Sequence, residues 1–435
     1  MKKKTMVIAL SLAAFAGALG CGKKNDSQPT KQESKVENNE KINLSMCWWG
    51  SQARNDGTQK AVKLHMEKNP NVDIKMEFMD WTGYWDKMST MAAGKSLPDI
   101  VQMDYAYLNQ YAESGQLADL DPFIKDKVID DSKFQKDVLD SGSVDGKCYA
   151  LSLGIQPPCM VYDKEIIEMA GIEMSEYPTW EEVYDIGQKI YDKTGVSTFY
   201  DGGINGMILM ARSQGKYLYD EIKNEKSDVI KKHFENVDKF NKAEFSISPD
   251  LLAEKDPSNI DTKPIIDQTT WNDLPFACQY PSIADTAGRE LGVCFNPKPA
   301  DSIKEQNYLK PTMFFSISQS SKQKEEAAKF LDWFVNDNEC NLILKAERGI
   351  PINTDVSDSV KEISNDNTIR VFDLTTKSND ISSKIDKPDP AGRSEMDAQL
   401  NTIVEDLRNG DLTPDEATDE FMSQAKEILD SAAEE

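Results

Sequence analysis

Apolar positions along this chain alternate between a period of two and a period near 3.6. In residues 72–79, Val72, Ile74, Met76 and Phe78 alternate with Asp73, Lys75 and Glu77, the pattern of a strand with one buried face. Ahead of it, residues 43–47 form a short β-prone run, and residues 58–68 carry apolar side chains at helical spacing. Residues 84–93 then read as a helix and 99–103 as a third strand. The series β-α-β-α-β predicts an open, largely parallel sheet. Further on, 148–153 and 159–162 read as strands around Pro157-Pro158, and Thr179 with Glu182 forms a capping box for a helix through Tyr191. The loop Tyr200-Asp201-Gly202-Gly203 leads into an apolar helix near 204–212, and the region 220–275 is highly charged and helical in its early part. Residues 323–336 place Ala327, Ala328, Phe330, Leu331, Trp333 and Phe334 on a helical pattern, which makes Trp333 a core residue. Thr413-Pro414-Asp415-Glu416 is a second capping box, with proline at the first helical position, opening a terminal amphipathic helix.

In open α/β sheets, ligands bind in the crevice outside the carboxyl ends of the strands. Each predicted strand here ends in a cluster: Trp48, Trp49, Gly50 and Ser51 after the first, Asp80 and Trp81 after the second, Asp104 and Tyr105 after the third. Aromatic faces beside carboxylates suit a sugar, whose C–H patches stack on rings while its hydroxyls donate to acids. The competing reading is that these tryptophans fill a core or a domain interface.

The N-terminal segment changes the picture. Lys2, Lys3 and Lys4 precede an apolar run over 6–19, which is of signal-peptide length and too short for a membrane span. Ala18-Leu19-Gly20-Cys21 resembles a bacterial lipobox, with Ala where Leu is usual. Residues 1–21 are therefore expected to be a lipoprotein signal peptide and Cys21 the lipid-bearing residue; an ordinary signal peptide with a stray cysteine is the alternative. Residues 22–41 hold almost no apolar side chain and are expected to form a disordered tether. The roughly 390 residues that remain exceed what one core usually supports, so two domains are expected.

With 50 basic and 75 acidic residues, the formal net charge is -25. Such a field repels phosphate backbones, so nucleic acid is excluded as a partner, as is polybasic docking on anionic lipid. Of the seven cysteines, the six beyond Cys21 form no CxxC pair and lie away from His65 and His233, so zinc ligation is not expected. Disulfides and free buried thiols both remain open from spacing alone. Gly94-Lys95-Ser96 looks like the end of a phosphate loop, but Ser89 stands where its first glycine belongs, so it reads as a loop after a helix. No nucleophile elbow, zincin helix or EF-hand loop is present in the sequence, and no enzymatic activity, metal or cofactor is expected.

Several stretches together carry a family resemblance. Ala93-Gly94-Lys95-Ser96-Leu97-Pro98-Asp99-Ile100 and the run from Tyr111 to Leu120 form one. Asp145-Gly146-Lys147-Cys148-Tyr149-Ala150-Leu151, with Ser152 where proline is common, is another. Val161-Tyr162-Asp163-Lys164, with Asp163 for the usual Asn, and Pro178-Thr179-Trp180-Glu181-Glu182 follow. Ser321 to Phe330 and Arg348-Gly349-Ile350-Pro351-Ile352-Asn353 complete the set. In order and spacing, from Leu44 to about Leu429, the chain resembles the carbohydrate-binding extracellular solute-binding lipoproteins of ABC importers. The resemblance implies an α/β, two-lobed periplasmic-binding-protein-like fold with a hinge and an interlobe cleft. One lobe is expected at 42–153 plus 309–352, the other at 154–308 plus 353–435. It further implies capture of a mono- or oligosaccharide by hinge closure, delivery to ABC permease subunits, lipid anchoring on the extracytoplasmic face of the cell membrane, and a monomer. A sensor lipoprotein on the same fold, a surface glycan hydrolase and a nonsugar cargo are the alternatives.

Within that frame the candidate ligand-binding residues are Trp49, Asp80, Trp81, Asp104 and Tyr105 on the first lobe. Trp48 ranks behind Trp49 because neighbours on an extended segment point opposite ways. On the second lobe Trp271 is expected to stack on cargo and Asn272 to face the cleft. Arg54 and Arg348 are expected either to fork onto hydroxyls or a uronate carboxylate, or to pair with local acids.

Overall fold

The computed structural model describes residues 41–255 and 259–434. The expected signal peptide, Cys21 and the tether up to Glu40 lie outside the described residues. Three parallel strands, β1 (Ile42–Trp49), β2 (Val72–Met79) and β3 (Ile100–Met103), open the chain. A hairpin of β4 (Ser143–Val144) and β5 (Lys147–Cys148) follows, then β6 (Leu151–Ser152), β7 (Ile155–Gln156) and β8 (Cys159–Asp163). The later strands are β9 (Asn272–Asp273), β10 (Leu291–Phe295), β11 (Lys310–Pro311) and β12 (Phe314–Ile317). They assemble as a five-stranded sheet in the order β2-β1-β3-β12-β6, a three-stranded sheet β10-β8-β9, and the two-stranded pairs β11-β7 and β4-β5. The alternation read in 72–79 holds where it matters: Val72 and Ile74 are buried while Asp73 and Lys75 are exposed. β1 pairs with β2 along its whole length, Ile42 opposite Val72 through Trp49 opposite Met79. It therefore runs two residues beyond the β-prone stretch seen in the sequence, and both tryptophans lie in the sheet instead of in a loop.

Each βα turn of the first sheet is closed by a side-chain cap. Ser51 accepts from Arg54 N, Asp80 from Gly83 N at 2.8 Å, and Asp104 from Ala106 N at 2.9 Å. The helices Gln52–Lys68, Trp81–Ala93 and Tyr105–Glu113 therefore all start immediately outside the carboxyl ends of the strands. In the second half of the chain the Thr179–Glu182 capping box is formed in both directions, and Glu416 reaches back to Thr413 N at 2.9 Å.

The chain is two-lobed, and its apolar packing forms two clusters. The first includes Trp48, Tyr84, Phe314, Phe315, Phe330 and Phe334, and it continues through Ile155 and Cys159 to Tyr280, Ile283, Val371 and Phe372. The second holds Ile186, Phe234, Phe240, Phe245, Trp271, Met396 and Phe421. β8 sits between them, with Cys159 and Val161 in the first cluster and Met160 in the second. Packing thus does not part at residue 153, because one face of the second sheet is covered by side chains continuous with the first core.

Backbone stretches distant in sequence lie edge to edge at one junction. β7 pairs with β11, Ile155 also pairs with Ile350, and Asn307 pairs with Ser382. A Cβ on Gly154 would stand 2.1 Å from the Arg348 carbonyl oxygen, so only glycine permits that approach. Arg212, 5% exposed at the end of the helix Ile204–Ser213, binds the junction from one side. It donates to the carbonyls of Gln306 at 2.9 Å and Lys384 at 2.9 Å and to Ser383 Oγ at 2.7 Å, and pairs with Asp386 at 2.7 Å.

His65 is buried against Phe330 and Trp333, and burial pulls its imidazole down to about 4. Between that value and the ordinary 6.5 the unfolded chain binds a proton that the folded chain does not. The stabilisation is thus whole above pH ~6.5 and is lost as pH falls through this window. Urea unfolding between pH 7 and 5 should show the slope flattened in His65→Leu; an unchanged slope would assign it to the other buried histidine, His233.

Candidate functional site

The carboxyl edge of the first sheet carries a packed aromatic cluster. Trp49, only 7% exposed, contacts the rings of Trp81 at 5.0 Å, Tyr84 at 5.1 Å and Trp85 at 5.6 Å between centroids. Trp85 in turn stacks on Tyr107 at 3.7 Å. Trp81, at the first position of its helix, remains 43% exposed. Trp48 is fully buried on the opposite face of β1 and donates from its indole to Asn55 Oδ1 at 2.9 Å. Of the tryptophan pair, neither offers an open face; Trp49 supports Trp81, which does.

The structure reassigns several residues expected to meet ligand. Trp271 is completely buried in the second core, its indole N–H bound to Thr198 Oγ1 at 2.8 Å, so it has no face left for stacking. Asn272 is equally buried; its amide accepts from Phe199 N at 2.8 Å and donates to Phe199 O at 2.9 Å, mimicking a strand partner. Arg54 donates to both carboxylate oxygens of Glu347 at 3.0 and 2.9 Å, the local pairing that was the alternative for it. Arg348, 3% exposed, lies between Phe315 and Phe334 and donates to Thr58 Oγ1 at 2.8 Å, where desolvation draws its guanidinium down. Asp80 and Asp104 each commit an oxygen to a helix N-terminus. Tyr105 is 6% exposed and donates across the junction to the Asp386 carbonyl, and Ser394 meets Tyr107 Oη at 3.0 Å.

Beside these contacts and the second core lie three cavities that share lining residues. The smallest, about 40 Å³, is bounded by Tyr105, Tyr217, Tyr308, Lys310 and Asp389. A second of about 300 Å³ shares Asn205 and Tyr308 with it and adds Phe276, Gln279, Asp201 and Lys263. A third of about 670 Å³ shares Asp201, Asn205 and Lys263 and reaches Glu405, Arg408 and Asn409. The two larger volumes are of the size that holds small ligands.

Local chemistry fixes the groove. Asp201 Oδ1 accepts from Gly203 N at 2.8 Å, and buried His233 holds the Gly202 carbonyl at 2.9 Å, which together set the loop that starts the helix at Ile204. Lys263 pairs with Asp273 at 3.0 Å in a nearly solvent-free site, and burial raises the Asp273 carboxyl. Lys310 places its ammonium 5.2 Å from the Phe276 ring. The sequence marked the Tyr200-Asp201-Gly202-Gly203 loop as punctuation only. Phe276, Tyr308 and Lys310 carry no local signal, because strand pairing at the junction brings them in. Among the described residues no group of His, Cys, Asp and Glu side chains is placed to hold a metal ion, and no helix is long and apolar enough to cross a membrane.

A family model described as bacterial extracellular solute-binding protein matches residues 60–371. A diacetylchitobiose binding protein of Streptomyces coelicolor is 26% identical over 205 residues, 47% of this chain and 46% of that protein. An arabinooligosaccharide-binding protein of Bacillus subtilis is 29% identical over 139 residues, 31% of each chain. The matched segments thus span half or less of these curated relatives. Among solved structures, an extracellular solute-binding protein family 1 member from Alicyclobacillus acidocaldarius superposes with a TM-score of 0.72 at 25% identity, covering 90% of this chain and 99% of that one.

Thermal unfolding of two variants separates core from surface. Trp271→Ala is expected to cost about 3–5 kcal/mol, and Trp81→Ala only about 1 kcal/mol. Equal losses would make Trp81 part of the core.

Proposed function

Because the chain belongs to the bacterial extracellular solute-binding proteins, we propose that it captures a mono- or oligosaccharide between its lobes and delivers it to the permease of an ABC importer. The family and the relatives named above are binding proteins, not enzymes, and the family places the chain outside the cytoplasm. What carries the carbohydrate reading is the mixed aromatic and polar lining of the groove, together with the exposed ring of Trp81 at the edge of the first sheet. An aromatic face braced by Trp49 and Trp85 lies at the carboxyl edge of the first sheet, and the groove beside the second core is lined by amides, hydroxyls, aromatic rings and carboxylates. Rings supply stacking surfaces for sugar C–H patches, and the polar groups exchange hydrogen bonds with hydroxyls.

In this reading the lobes are 42–153 plus 309–352 and 154–308 plus 353–435, and they close over cargo. Tyr105 and Tyr107 reach the stretch from Asp386 to Ser394, so contacts of the closed state form next to the groove. Cargo that touches both lobes favours that state, and the importer recognises it. Cys21 anchors the mature, monomeric chain to the outer face of the cell membrane. Asp80 and Asp104 retain one oxygen each for hydroxyls.

A thermal-shift screen of the mature chain against mono- and oligosaccharides tests this. Cargo at about 100 times its Kd should add ~2.7 kcal/mol, and the glycan should be recovered intact. Trp81→Ala should weaken its binding by about 1–3 kcal/mol. Silence across the whole panel would refute carbohydrate capture, and cleavage of the glycan would point to a hydrolase.

A further inference from the structure

The geometry points to a seat for an anionic substituent of the cargo, a uronate carboxylate, in the smallest cavity, with Lys310 and Lys387 as the residues that hold its charge. This rests on the carbohydrate-capture reading.

Two distant stretches bring the lysines to one volume. Lys310 stands in β11, whose pairing with β7 sets its backbone opposite Gln156. Lys387 lies in the segment that joins the helices Asp366–Ile381 and Arg393–Asn409, and Arg212 and Tyr105 fasten that segment at Asp386.

The carboxylates of this cavity already have partners. Asp386 pairs with Arg212 at 2.7 Å; Asp389 accepts from Tyr219 Oη at 3.0 Å and has Arg393 at 3.8 Å. The two ammoniums have no ion-pair partner among the described residues. Lys310 stands 5.2 Å from the Phe276 ring and Lys387 5.3 Å from that of Tyr217. Lys310 does act on Asp389, but more weakly than Arg393 and Tyr219 do. Three cations, Arg212, Lys310 and Lys387, thus line the cavity against two carboxylates, an excess of one positive charge. Burial raises the Asp389 carboxyl, which enlarges that excess. Burial also pushes the phenols of Tyr217 and Tyr308 up, so both stay O–H donors at the same cavity.

Size sets what enters. About 40 Å³ is room for on the order of three waters, enough for a carboxylate and too little for a sugar ring. The neighbouring cavity of about 300 Å³ shares Asn205 and Tyr308 and adds Phe276, a ring face next to the Lys310 ammonium. A uronate ring seated there directs its carboxylate toward both lysines, which gain a charge-assisted partner that a neutral hydroxymethyl group does not supply. Arg54 and Arg348 are engaged by Glu347 and Thr58 and take no part.

Calorimetric titration of the mature chain with matched pairs tests the inference: oligogalacturonides against galactooligosaccharides and oligoglucuronides against glucooligosaccharides, the members of a pair differing only in the group at C6. The uronide should bind at least about tenfold more tightly than its neutral partner, with the gap narrowing as salt is added. Lys310→Gln and Lys387→Gln should each cost the uronide at least about fivefold more affinity than they cost the neutral glycan. Lys387 is exposed, so its variant should keep the melting temperature. Binding confined to neutral glycans, a neutral member as tight as its uronide, or variants that weaken both classes equally would overturn the seat. Failure of neutral and acidic glycans alike would instead refute carbohydrate capture itself, and the seat with it.

Discussion

A guanidinium with 5% of its surface exposed, that of Arg212, draws together two stretches distant in sequence, Gln306 and residues 383–386. Without that side chain, the carbonyls of Gln306 and Lys384 and the Asp386 carboxylate would lose their donor. Arg212 is also the last turn of a helix whose first turn carries Asn205 and begins at the Asp201 loop. One rigid rod therefore connects the groove to the junction.

The first sheet solves a different problem with the same economy of parts. Three consecutive strands end at three capped helices, and the caps, Ser51, Asp80 and Asp104, hold backbone groups that would otherwise be orphaned. Capping fixes where Trp81 and Tyr105 begin their helices, hence where their rings emerge. Polar residues that resemble ligand contacts in sequence are here the scaffold that aims the aromatic ones.

What was legible in the sequence was local. The capping boxes at Thr179 and Thr413 and the helical pattern of 323–336 survive in the structure, because each depends on neighbours a few residues away; the alternation in 72–79 holds over Val72–Lys75 and lapses after it, with Phe78 exposed. The Gly94-Lys95-Ser96 loop does follow a helix, with Lys95 at a positive φ of 52°. Trp271 and Asn272 were misplaced because a tryptophan followed by an amide reads the same whether it faces a cleft or pairs with a neighbouring strand; only Thr198 and Phe199, more than seventy residues earlier, decide it. Lys310, Phe276 and Tyr308 were invisible for the same reason. They meet only after residues 155–156 and 310–311 pair, a contact that no period along the chain encodes.

The six cysteines within the described residues are all free, and five are buried. Burial raises every thiol, Cys47 and Cys148 to about 12 and Cys278 to about 11, and suppresses the thiolate that oxidation requires. The described fold therefore owes nothing to covalent crosslinks, and its maturation needs no oxidant, isomerase or particular redox poise. Its thiols act as sentinels instead: silent toward alkylating reagents while the chain stays folded, they become reactive when a lobe opens, so the rate of their modification is a clock for the opening of each core.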